Sequence, residues 1–194
     1  MSQFKAFAPN VEVNGETALA LVEGMGLFKD RGYRILHDHG IRDLKQGHWY
    51  PLQSYLDAFQ TIYESTGDFT LFNIGKKIPD NARFPNSIHS VEEALHSINI
   101  AYHMNHRING NVMYDPVTGN LLDGIGFYKF EKTGEREGLF ICENPYPSDF
   151  DRGIAESMAN RYKPKDCEYI ILKLDLTKPT RKKGAESCTY TIRW

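Results

Sequence analysis

A chain of 194 residues, 41% hydrophobic and 25% charged, is long enough for one domain with its own apolar core. A formal net charge of -2 at pH 7 excludes a global field that would draw the chain to nucleic acid or to an anionic membrane. No apolar stretch is long enough to span a bilayer, and the three cysteines follow no apolar leader, which points to the cytoplasm and to free or metal-bound thiols rather than disulfides.

Residues 1–13 read as a loose lead-in. A short helical pattern over 16–22 ends at Gly24. A second helix covers 27–39, with Leu27, Phe28, Ile35 and Leu36 as its apolar members and Gly40 at the left-handed closing position. Residues 47–51 break the pattern, and Pro51 suits the first turn of a helix, where its missing N–H costs nothing. Leu52, Tyr55, Leu56, Phe59, Ile62 and Tyr63 then recur with helical period, up to Gly67. Residues 69–78 predict a further helix, stopped by Pro79. Ser90 and Glu93 form a capping box that opens a helix running to about Arg107. Its apolar stripe includes Ile98, Ala101 and Tyr102, with His96 and His103 on a neighbouring stripe.

After Asn109 and Gly110 the period changes to two. Strands are predicted over 112–114, 124–131 and 138–142, with Ile125, Phe127 and Lys129 on one side of the second. Ser148 caps a helix over 149–162, with Asp149 and Asp151 as carboxylates in its first turn. Strands over 167–176 and 186–194 close the chain. The basic run 178–183 between them reads as a solvated loop in preference to a phosphate site. The order predicts an α+β fold: N-terminal helices packed on a C-terminal antiparallel sheet of about four to five strands with one inserted helix, in a single domain over 1–194.

Local chemistry is sparse. His103 and His106, three apart, are close enough on a helix to share a metal, but a basic residue closing a helix explains His106 as well. His37 and His39 face apart on a helix and read as a surface helix end. Cys142 precedes a helix start, yet no nearby His supplies the base a nucleophile needs, so a buried structural thiol is the simpler assignment. The chain has no Gly-rich phosphate loop, HExxH, GxSxG or paired CxxC, which counts against the enzyme classes with strong local signatures and leaves enzymes without such signatures open.

The Trp49-Tyr50-Pro51 lead into a long helix, Gly67 followed by Ile74-Gly75, and the Tyr102 helix before the sheet carry a resemblance. So do the Cys142 turn, Phe150-Asp151-Arg152-Gly153 and the closing Cys188-Thr189-Tyr190. With these features the chain resembles the 4-vinyl-reductase-like small-molecule-binding domains, in the superfamily that includes haem nitric-oxide-binding domains and the TRAPP vesicle-tethering subunits. The resemblance implies an antiparallel sheet and helices enclosing an apolar pocket, in a sensory module that is often homodimeric.

Some relatives hold zinc through Cys and Glu. Carried over, Cys142 and Cys188 are the matching ligands, with Cys167 as a third and Glu143, Glu168, Glu186 or a His needed to complete a tetrahedral set. Haem is the other implied cofactor, but the Tyr-x-Ser-x-Arg propionate motif of the gas sensors is absent. The expectation is a sensory domain holding a small apolar or aromatic molecule between helices and sheet. Trp49, His96, Tyr102, His103 and Phe127 are its contacts, and signalling passes through a homodimer or a separate partner. A tetrapyrrole protein with a helix His as ligand and a non-catalytic assembly module are the alternatives.

Overall fold

The computed structural model describes residues 3–194 as six α-helices and two four-stranded antiparallel sheets. The first sheet, in the order β2-β1-β3-β4, is built from β1 (Val11–Asn14), β2 (Trp49–Pro51), β3 (His106–Ile108) and β4 (Asn111–Val112). Sequence periodicity placed its first three strands in a lead-in, a break and the end of a helix. None of the four exceeds four residues, too few for alternation to show. Their partners are also distant in sequence, with Val13 opposite Tyr50 on one side and His106 on the other.

The second sheet, in the order β5-β6-β8-β7, is the predicted one. It contains β5 (Phe127–Gly134), β6 (Glu137–Glu143), β7 (Ile171–Leu174) and β8 (Ser187–Arg193), with α6 (Ser148–Arg161) inserted between β6 and β7. Tyr128, Phe130, Phe140, Cys142, Cys188, Tyr190 and Ile192 form its buried face. Phe127 and Lys129, predicted to share one side of β5, are half-buried and exposed, so that side is the outer one.

The helical part consists of α1 (Gly15–Gly24), α2 (Lys29–Asp38), α3 (Leu52–Thr66), α4 (Asp68–Asn81) and α5 (Val91–Met104). Leu27 and Phe28 do not join the α2 stripe; they lie in a separate 3-10 turn and are 100% and 67% exposed. Pro79 does not stop α4, which runs on to Asn81. The Ala82 N–H closes on the Ile78 carbonyl at 2.9 Å, and Arg161 donates to the Pro79 carbonyl at 2.9 Å.

The Ser90 hydroxyl accepts from the Glu93 N–H at 3.1 Å as predicted, but the Glu93 carboxylate accepts from His89 N–H instead of the cap's own. Ser148 does not cap α6. It is the first helical residue, and its hydroxyl meets Gln3 and the Cys188 sulfur.

Three glycines let α4 sit against its neighbours. A Cβ on Gly24 would lie 2.3 Å from Ile74 Cα, one on Gly75 2.1 Å from the Phe150 carbonyl oxygen, and one on Gly153 2.2 Å from the Phe72 carbonyl oxygen. Backbone therefore packs on backbone where α4 meets α1 and α6.

Candidate functional site

The end of α5 and the turn into β3 bring a set of polar groups into the core. His106 is 2% exposed, with Nδ1 2.6 Å from the Tyr102 carbonyl and Nε2 2.8 Å from the Tyr146 hydroxyl. A carbonyl only accepts, so Nδ1 carries the proton, and Nε2 accepts from Tyr146. Burial pushes the His106 pKa down to about 4, partly offset by the Tyr102 carbonyl, so the ring is neutral. Tyr102 donates to the Ile125 carbonyl at 2.6 Å. Around them Tyr55, Phe59, Tyr146 and Phe150 form a continuous aromatic cluster with ring centroids 4.9–6.2 Å apart.

Beneath α4, α5 and α6 this cluster leaves a mostly apolar cavity of about 30 Å³, bordered by Ile78, Phe84, Ile98, Tyr102, His106 and Tyr146 among others. The volume is that of roughly two water molecules. The segment from Ala82 to Ser90, without regular secondary structure, joins α4 to α5 over the cavity and carries the half-buried Phe84.

On the other side of Tyr128 and Tyr146 lies a charged cluster. Arg181, from the basic turn, is 0% exposed. Its Nη1 donates to the Asn144 carbonyl, the Asn144 Oδ1 and the Tyr146 carbonyl, each at 2.7 Å. Its Nη2 pairs with Asp151 Oδ2, and Tyr128 donates to Asp151 Oδ1 at 2.6 Å. Nε is buried without a hydrogen-bond partner.

Burial opposes the Arg181 charge, but Asp151 and the neighbouring cysteines together raise the arginine above its usual range. Burial pushes the Asp151 carboxyl up, while Arg181, Tyr128 and Asn144 pull it back. The solvated-loop expectation for 178–183 is thus corrected at Arg181. Nothing in a run of lysines and arginines marks the one that turns inward, and Asp151 already had a sufficient role as a helix-start carboxylate. Its neighbour Lys182 stays at the surface, bridging Asp68 at 2.9 Å and Asp149 at 2.6 Å.

Of the five residues expected to contact a ligand, Tyr102 lines the internal cavity. His103 is buried, with Nδ1 2.8 Å from the Asn99 carbonyl, and burial lowers its pKa. With Phe127 it borders a separate surface cleft of about 470 Å³ that also holds Asp123 and Glu143. His96 is exposed, edge-on to Phe130 at 5.3 Å. Trp49 is half-buried in the first sheet, with the Arg107 guanidinium 4.8 Å from its ring centroid. His106 and Tyr146 complete the cavity. Only the helical spacing of His106 hinted at it; Tyr146 had no signal.

The cysteines do not assemble a metal centre. Cys142 and Cys188 face each other across β6 and β8, but Cys167 lies ahead of β7, with its sulfur 3.3 Å from the Tyr169 carbonyl. All three are free and buried, and among the described residues no group of three or more His, Cys, Asp or Glu side chains is placed to hold a metal. Beside Cys188 lies Arg181, whose backbone N–H donates to the Cys188 sulfur at 3.3 Å. Burial, reinforced by Asp151, pushes the Cys142 thiol well up, in keeping with a structural thiol.

No protein-family model and no curated protein matches the chain. Solved structures match its fold. An Fe(II) unliganded H-NOX protein from K. algicida superposes with a TM-score of 0.58 at 13% identity, over 93% of this chain and 95% of that one. An H-NOX protein from S. oneidensis in the Fe(II)NO state gives a TM-score of 0.59 at 10% identity, over 92% and 97%. A third, described for haem redox potential and porphyrin distortion, gives 0.55 at 12% identity, over 93% and 99%. The α+β architecture is therefore that of the H-NOX, or haem nitric-oxide-binding, fold.

Proposed function

We propose that this chain is a small-molecule-sensing domain whose mostly apolar ligand sits between α4, α5, α6 and the main sheet. One observation carries the proposal: an apolar cavity meets a hydrogen-bonding corner, where the His106–Tyr146 pair and Tyr102 border the same space as Ile78, Ile98 and Phe84. Binding sites are commonly apolar hollows with a few fixed polar groups that orient the ligand. The cavity is small, so a ligand larger than a few atoms enters by displacing the irregular Ala82–Ser90 segment. The expected 4-vinyl-reductase-like placement, a homodimer and a separate signalling partner belong to the same proposal.

Haem is the group that the related folds carry, and the residues here do not fit it. Ligand pockets run to about 300–1,000 Å³, an order of magnitude above this cavity. Both ring nitrogens of His106 are engaged, and His96 and His103 are directed elsewhere. Tyr63 and Tyr146 are each followed by Ser at the second position, as in the propionate motif, but Gly67 and Phe150 stand where that motif has Arg.

Native mass spectrometry of the purified protein, with its absorption spectrum and a haemin titration, tests the proposal. The expected result is a chain without a Soret band and without stoichiometric haem uptake. Its mass would either be bare or carry a small organic molecule, and its dimer would be directly visible. A Soret band lost in His106→Ala or His103→Ala would replace this proposal with a haem protein.

A further inference from the structure

We propose that Tyr128 and Arg181 form a carboxylate-binding site, filled in this structure by the protein's own Asp151, and that the ligand of the adjoining cavity is a small apolar carboxylic acid competing with Asp151. This rests on the sensing role proposed above and names the ligand class.

The geometry of the ion pair carries the inference. A guanidinium presents two parallel N–H groups to a carboxylate, and the strongest pairing uses both. Asp151 uses only one edge donor of Arg181. Nη2 is on Oδ2, Nη1 is spent on Asn144 and Tyr146, and Nε is left without a hydrogen-bond partner although the residue is 0% exposed. A buried donor left unpaired is costly. Asp151 is fixed to the first turns of α6, whereas a free carboxylate can turn to take Nε and Nη2 together while keeping the Tyr128 hydroxyl.

The site adjoins the cavity through shared residues. Tyr128 and Tyr146, which hold this cluster through a hydroxyl and a carbonyl, also line the cavity, as does Phe150, next to Asp151. An acid seated with its apolar tail in the cavity would reach Arg181 past the Tyr128 and Tyr146 side chains that stand between them.

The test uses the wild-type chain at pH 7, hexanoate as probe and hexanol as its neutral counterpart, read by thermal unfolding. Hexanoate at a hundredfold excess over its Kd should raise the Tm by roughly 5–10 °C, with hexanol clearly weaker. Tyr128→Phe should weaken hexanoate about tenfold and leave hexanol unchanged.

A second arm keeps the result independent of that variant. Asp151→Ala vacates the site, and acetate should then raise its Tm, or restore its folding, where chloride at equal ionic strength does not. Hexanol matching or exceeding hexanoate would overturn the acid and leave the sensing role standing. Acetate acting no better than chloride on Asp151→Ala would overturn the carboxylate site itself. Absence of a Tm change with both hexanoate and hexanol would overturn the acid ligand, while the mass of the purified protein judges the sensing role separately.

Discussion

Two fully buried polar clusters stand back to back across Tyr128 and Tyr146, and they solve the same problem differently. Around His106 every group is neutral: the imidazole keeps one proton, and each ring nitrogen has a partner of the right kind. Around Arg181 the groups are charged, with a guanidinium and a carboxylate sharing Asn144 and Tyr128. A neutral cluster tolerates loss of one partner at the cost of an unmet hydrogen bond. A charged cluster that loses one partner leaves a bare ion in the core. The first can border a cavity; the second acts as a clasp, tying the basic turn to β6 and α6.

The largest effect should come from breaking the clasp on one side only. Arg181→Met is expected to cost about 3–5 kcal/mol, because Asp151 is then buried alone. The double variant Arg181→Met with Asp151→Leu should recover most of the loss. Urea unfolding of the three proteins checks this, and a double variant no better than the single would show that the charges are not what couples these positions.

The neutral cluster should reveal itself through pH. The folded pKa of His106 is lowered from 6.5 to about 4, so the unfolded chain binds the extra proton first as the solution is acidified. The stability contribution is present in full above about pH 6.5 and is lost as pH falls towards 4, in total about 3 kcal/mol. His106→Gln should flatten that slope. Urea unfolding at pH 7 and pH 4.5 measures it, and an equal slope in the variant would assign the acid sensitivity elsewhere.

The close packing of α4 against α6 gives the next effect. Gly75→Ala places a methyl group 2.1 Å from the Phe150 carbonyl oxygen, and neither backbone has room to move freely. A loss of about 1–3 kcal/mol is expected, seen as a lower Tm. Tyr146→Phe should cost about 1–2 kcal/mol, since it leaves His106 Nε2 without a donor but introduces no charge. At the outer end of the clasp, Lys182→Ala should cost under about 0.5 kcal/mol. Its side chain is 38% exposed, so solvent screens both of its ion pairs. A loss as large as that of Arg181→Met would erase the distinction between the inner and outer parts of the basic turn.

The sequence by itself determined what local periodicity can carry. Leu52 through Tyr63 set α3, Ser90 set the start of α5, and alternation with turn residues set β5, β6 and β8. Helices followed by an antiparallel sheet were enough for the fold class. Tertiary structure alone decided the first sheet, whose strands are too short to alternate and pair with segments far along the chain. It also decided the interior chemistry. Tyr102 was legible because it sits on a helical stripe, while Tyr146, Asp151 and Arg181 come from a turn, a helix start and a lysine-rich loop. Such residues are usually solvated, yet here all three are buried. Arg181 can be buried because Asp151, Asn144 and Tyr146 converge on it from separate segments of the chain, a condition that composition and spacing do not encode.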